Sequence, residues 1–229
     1  FDYEATQENS QGIEEFPEAV PEKEVLPEQK PIEESVNETV DVDVKRNEYG
    51  MPYYRAFDSN SYVICSDLKN PYALADLITD VVRIEQPVHF EVLCRRIAPI
   101  LGYVHVNSEL IDHIDNIISN YASTEIVQSN EILYIDEPRS ETVRCSKLGS
   151  PDRELRYIPL TEIKEAVRIV MSDEKCIARA RLNNIIGQIF GYSRLTSLKD
   201  KNIISEVVDD FKAEGLILRE MGMLRWMED

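Results

Sequence analysis

PVHFEVLCRRIAPILGY at Pro87–Tyr103 and CIARARLNNIIGQIFGY at Cys176–Tyr192 stand 89 residues apart and carry their apolar residues in the same places. Leu93, Ile97, Ile100 and Leu101 fall on Leu182, Ile186, Ile189 and Phe190, and Gly102-Tyr103 falls on Gly191-Tyr192. Working outward at the same displacement, Leu74, Ile78, Val81 and Val88 meet Ile163, Val167, Val170 and Ile177, and Ser108 meets Ser197. A slip of one residue keeps Ile114, Ile117, Ile118 and Tyr121 on Ile204, Val207, Val208 and Phe211. Self-similarity at one fixed period is the mark of a duplicated structural unit.

Each copy reads as the same series of elements. Residues 71–84 place Leu74, Leu77, Ile78 and Val81 at the three-and-four spacing of an amphipathic helix. Pro87 stops it, Val88-His89 suits a short strand, and a second helix is expected from Glu91 to Leu101 with Gly102 as its left-handed cap. A third begins near Asn107-Ser108 and reaches Tyr121, followed by a hairpin of Glu125–Gln128 and Ile132–Ile135. In the second copy the helices are expected at Leu160–Met171, Arg179–Phe190 and from Thr196-Ser197 to Gly215. Its strand is Cys176–Ala178 and its hairpin Leu216–Arg219 with Met223–Met227. Asp200 stands in capping-box position to Ser197.

The expected fold class is therefore mainly α with small β-hairpins (α+β), as two tandem winged-helix modules at 69–137 and 159–229. A plain helical repeat would leave both hairpins unexplained. Residues 46–68, with Tyr49, Tyr53, Tyr54 and Tyr62, read as an ordered lead-in packing onto the first module, and 138–158 as a connector. Residues 1–45 hold fourteen acidic residues against Lys23, Lys30 and Lys45, with prolines at 17, 21, 27 and 31. That composition predicts a disordered acidic linker, either a spacer or an arm competing with nucleic acid for a basic surface.

The formal net charge of −18 argues against nucleic-acid binding through bulk charge. No apolar run is long enough for a membrane span, and the expected setting is cytoplasmic, with no membrane partner. The chain opens on Phe1, as a fragment or a processed product would. Cys65, Cys94, Cys145 and Cys176 form no CxxC pair and are expected to be reduced core thiols. His89, His105 and His113 pair with no cysteine at zinc spacing, so neither a metal nor a cofactor is expected.

Charge separates the two copies. Residues 69–137 carry four basic residues (Lys69, Arg83, Arg95, Arg96) against eleven acidic ones, and the third helix shows Glu109, Asp112 and Asp115 with no cation. Such a helix repels phosphate, so this copy is expected to dock on protein; Arg95 and Arg96 are expected to pair with nearby carboxylates. Residues 159–229 are nearly balanced, and their cations are segregated. Arg179 and Arg181 open the second helix, Arg194, Lys199 and Lys201 sit at the turn and start of the third, and Arg219 and Arg225 lie on the hairpin. With Asn202 these are the candidate nucleic-acid contacts, to DNA in the first instance, against the alternatives of a protein surface or a merely solvated face. Tyr103 and Tyr192 are read as core plugs rather than base-stacking rings, and Trp226 as the anchor of the second hairpin.

With YYRAF at Tyr53–Phe57 ahead of it, the repeated pattern from Pro87–Tyr103 onward resembles a C-terminal domain of uncharacterised function. That domain closes large bacterial proteins of the superfamily-one helicase type, commonly after the motor lobes and an endonuclease-like domain similar to very-short-patch repair nucleases. The resemblance covers roughly residues 50–229 and implies a tandem winged-helix-like region working beside a helicase. It implies other domains of that parent as partners, or a separate partner protein. Its motifs are core and turn residues; no GxxxxGK[ST] loop and no nuclease signature is present, so the expected role is binding, not catalysis.

Overall fold

The computed structural model describes residues 45–62, 68–135 and 142–227. Apart from Lys45, the expected acidic linker lies outside the described residues, as does Cys65. Among the described residues there are six α-helices and two three-stranded antiparallel sheets, a mixed α and β architecture. The first half runs α1 (Pro71–Glu85), β1 (Val88–His89), α2 (Phe90–Ile97), α3 (Ser108–Ile117), β2 (Val127–Ser129) and β3 (Ile132–Tyr134). The second runs α4 (Leu160–Glu174), β4 (Cys176–Ala178), α5 (Arg179–Ile189), α6 (Leu198–Ala213), β5 (Ile217–Glu220) and β6 (Met223–Trp226).

The repeat carries through to topology. Helices α1 and α4 begin and end 89 residues apart, and α3 and α6 begin 90 apart, so the slip falls in the turn before the third helix. Both sheets place the last strand in the middle, in the orders β1-β3-β2 and β4-β6-β5. Local chemistry starts the helices. Asn70 and Asn107 accept from the N–H groups of Tyr72 and Leu110, and Ser197 Oγ accepts from that of Asp200 at 3.3 Å.

Several boundaries differ from expectation: α4 runs on past Met171 to Glu174, α6 stops at Ala213 before Gly215, and the second and third helices of the first half end early. Helix α2 stops at Ile97, four residues short of Leu101. Pro99 has no N–H for the carbonyl of Arg95 and disfavours helix in the residue before it, whereas Gln188 at the matching place lets α5 run to Ile189. Helix α3 ends at Ile117, and its last turn, Ile118–Ala122, widens to π geometry.

Each half closes its own core. Leu74, Leu77, Ile78, Leu93, Ile114 and Leu133 centre the first, and Ile163, Met171, Leu182, Phe190, Ile204 and Leu224 the second, all essentially fully buried. Each such side chain contributes about 1.5–3 kcal/mol on transfer from water. Trp226 stands edge-on to Phe211 at 5.6 Å and joins β6 to α6, as expected of an anchor. Tyr103 and Tyr192 pack half-buried against the two cores.

The lead-in does more than pack onto the first half. Met51 and Tyr49 belong to the second core, while Phe57 and Tyr62 pack on the first. Between them Tyr54 N donates to Cys145 O at 2.8 Å, and Cys145 N to Pro52 O at 2.9 Å. Residues 46–62 thus cross from one half to the other alongside the connector.

Candidate functional site

The cations singled out on the second half fall into three groups. Arg194 in the turn and Lys199 at the start of α6 are exposed, and Lys201 is half-buried on the flank of the helix. None of the three has an ion pair among the described residues. Helix α6 turns Ile204, Val207, Val208 and Phe211 to the core. At helical spacing Lys199, Asn202, Glu206 and Asp209 share the opposite, solvent face. A lysine and an asparagine therefore lead that face, and two carboxylates follow.

The second group is Arg179 and Arg219. Both act on Asp209, whose carboxyl is held below its usual range first by the hydrogen bond and charge of Lys212 and only then by these two charges. The third group is already paired: Arg181 meets Glu174 at 2.7 Å, and Arg225 lies 3.6 Å from Glu220. The hairpin does not bring its two arginines together. Arg219 is opposite Leu224 on the core-facing row of the sheet, whereas Arg225 is opposite Leu218 and Cys176 on the outer row. On the first half, Glu109, Asp112 and Asp115 are exposed on α3.

The densest polar arrangement lies between the halves, and charge reading of the sequence does not reach it. Glu85, at the end of α1, and Glu162, in the first turn of α4, are both buried. Glu85 accepts from Phe57 N at 2.6 Å, from Arg96 Nε at 2.7 Å and from the hydroxyl of Tyr54. Glu162 accepts both terminal nitrogens of Arg153 at 2.8 Å, Arg144 Nη2 at 2.8 Å and the backbone N–H of Arg144 at 2.8 Å. Arg144 then reaches the end of α1, donating to the carbonyls of Glu85 (2.6 Å), Gln86 (2.9 Å) and Pro87 (2.9 Å). A cation on the last carbonyls of a helix is favoured by its dipole. The Tyr54 ring lies under the Arg153 guanidinium, 4.1 Å away, and 5.2 Å from that of Arg144.

These bonds set the electrostatics of the seam. Burial opposes ionisation of Glu162, but Arg153 and Arg144 outweigh it and hold the carboxyl below its usual range. Burial, then the charge of Glu85, pushes the Tyr54 phenol far up, so it stays a donor. Nε of Arg144 and of Arg153 are buried with no acceptor among the described residues, which marks the cluster as costly to assemble and specific in geometry. Arg96 and Arg95 pair with carboxylates as expected, Arg95 with Glu91 at 2.9 Å and Glu154 at 2.7 Å.

The cysteines need one correction. Cys94 and Cys145 are buried, and desolvation pushes the Cys94 thiol up to about 12. Cys176 is exposed, because it sits on the outer row of an edge strand and not in the core. Iodoacetamide treatment of the folded protein, read by peptide mapping, is expected to label Cys176 and spare Cys94 and Cys145 until urea is added. Labelling of Cys94 at the rate of Cys176 would contradict this burial.

Among the described residues no group of three His, Cys, Asp or Glu side chains could hold a metal ion, and no helix is long and apolar enough to cross a membrane. A cleft of about 420 Å³ opens between the lead-in and α5, lined by Tyr49, Tyr53, Leu148 and Gln188 with Arg46, whose guanidinium is taken up by Gly50 O at 2.8 Å. Compared with family models, with curated proteins and with solved structures, the chain matches none.

Proposed function

We propose that each half is a winged-helix module and that the chain is a non-catalytic accessory region, binding nucleic acid through its second half and protein through its first. The order helix, strand, helix, helix, hairpin, with the short strand joining the hairpin, supports the module reading. The observation that carries the nucleic-acid reading is the entry to α6. Arg194, Lys199 and Lys201 lie there without carboxylate partners among the described residues, and Asn202 shares the solvent face of Lys199. In a DNA-binding winged helix this end of the third helix meets the groove, while cations on the wing touch phosphate. The exposed acids of α3 favour protein docking by the first half. The resemblance to the C-terminal domain of bacterial helicase-type proteins supports an accessory, cytoplasmic role beside such a motor, whose other domains are the partners the first half would meet.

Fluorescence anisotropy against labelled duplex, forked and single-stranded DNA tests this. Lys199→Glu with Lys201→Glu is expected to weaken binding and flatten the log–log salt dependence by about 2, since each phosphate contact contributes a slope of about −0.9. Binding that ignores the double substitution would remove the nucleic-acid reading. A second reading, a purely protein-binding region, is favoured by Glu206 and Asp209 on the same helix face and by the pairing of Arg181 and Arg225 with acids. It predicts no DNA binding at all and a stable complex with a helicase-type parent's upstream domains.

A further inference from the structure

The two halves use one corner of the fold differently. In the first, β1 and the start of α2 hold polypeptide. The ring of Tyr157, from the connector, lies 4.7 Å from that of His89 and is sealed to 5% exposure. Its hydroxyl accepts from Arg95 at 3.3 Å, and the same Arg95 nitrogen donates to Glu91 at 2.9 Å. Neighbouring Glu154 takes another Arg95 N–H at 2.7 Å. One aromatic side chain on a short turn, with a carboxylate beside it, fills the corner.

At the 89-residue displacement His89, Glu91 and Arg95 become Ala178, Ala180 and Asn184. Ala180 and Asn184 are exposed and Ala178 is partly so. Met223 stands opposite Ala178 across the sheet, and the next row of that outer face is Cys176, Arg225 and Leu218. Met223 is 36% and Leu218 43% exposed. The second corner therefore repeats the backbone of the first with the three side chains that surround Tyr157 there cut back to Ala178, Ala180 and Asn184, bordered by soft apolar ones that adapt to a partner. Of the three replacements only Asn184 keeps a hydrogen-bonding side chain.

Size and charge decide the occupant. A stable dimer buries about 800 Å² per partner, 20–30 residues a side, and this corner offers a handful. A short segment fits it, as in the first half. Arg225 sits within the patch, 57% exposed, and its pair with Glu220 at 3.6 Å is loose and solvated, so it is free to exchange that partner for another carboxylate. We infer that the β4–α5 corner is a docking site for a short acidic peptide of another protein, which inserts one aromatic side chain among Ala178, Ala180 and Met223 and sets a carboxylate on Arg225.

The probe is a random peptide library displayed on phage, selected on the full chain and counter-selected on its Ala180→Glu variant. Both that position and Met223 lie on the surface, so circular dichroism should show the fold kept. The expected winners share one Phe, Tyr or Trp next to Asp or Glu. A synthetic winner should shift the methyl resonance of Met223 and not that of core Met171, and lose about tenfold or more in affinity with Ala180→Glu or Met223→Lys. No enrichment, shifts that leave Met223 in place, or affinity unmoved by both substitutions would overturn the site. So would concentration-dependent self-association lost with Ala180→Glu, which assigns the corner to a second copy. Lys199→Glu with Lys201→Glu should leave peptide binding intact, so this site and the nucleic-acid reading fail separately.

Discussion

Glu162→Gln is expected to destabilise the protein by about 3–5 kcal/mol, the range for breaking a buried ion pair from one side. The carboxylate is 3% exposed and neutralises two arginines, of which Arg153 is itself 4% exposed. Glutamine keeps the shape but offers one acceptor oxygen where the carboxylate uses two. Two guanidinium groups would then have as counter-charge in the seam only Glu85, already bonded to Arg96 and Tyr54, and Arg144 would loosen its hold on the carbonyls of α1. For a folded region of this size the loss corresponds to a fall in melting temperature of about 10 °C, readable by calorimetry. Adding Arg153→Met should recover part of it, with a coupling of about 1–3 kcal/mol in a double-mutant cycle. A Glu162→Gln protein that melts within a degree or two of the parent would show that the seam does not hold the halves together.

The same carboxyl makes acid stability a test. Its pKa is lowered in the folded protein, so its contribution is fully present above the unfolded value of about 4.3. It is lost as pH falls through the lower folded value. Urea midpoints should therefore drop more steeply below about pH 4.5 in the parent than in Glu162→Gln, where no proton is taken up. Parallel curves in that window would mean that other carboxylates carry the acid limb.

The hydrophobic repeat was legible because burial in each half obeys helical spacing. Leu74, Ile78 and Val81 or Ile163, Val167 and Val170 announce α1 and α4 with no knowledge of the rest. The seam was not, because charge is read as surface until a partner is known. Arg144 donates to the carbonyl of Glu85, 59 residues away, and Arg95 to Glu154, also 59 away. No local window contains both members. Met51 entering the second core, across the whole first half, hides for the same reason. The division of Arg219 and Arg225 between two sheet faces was within reach of the sequence. Strand alternation from the buried pair Ile217 and Trp226 puts one on each side. Alternation along the strand, not the number of cations, decides which face of the hairpin each arginine takes.

Gly191→Ala is expected to cost about 2–4 kcal/mol, against about 1 kcal/mol for Gly102→Ala at the matching place. Both glycines follow the second helix of their half with positive φ, +92° and +80°, and an alanine pays for that backbone at either. Their surroundings differ. A Cβ on Gly102 would meet nothing within 4 Å, while one on Gly191 would come to 2.8 Å from the Cα of Pro151 and 2.9 Å from its nitrogen. These are backbone atoms of the connector, which is tied down nearby: Gly149 N donates to Gly191 O at 2.7 Å, Ser146 N to Ile189 O at 2.9 Å and Leu155 N to the hydroxyl of Tyr192 at 3.0 Å. To admit a methyl group the connector must lift and give up such bonds, and with them the position of Arg153, which it carries to Glu162. Urea unfolding of the two single variants compares them directly. Equal losses would mean that only the left-handed backbone matters at Gly191; a larger loss there means that this Gly-Tyr cap has become the seat of the connector.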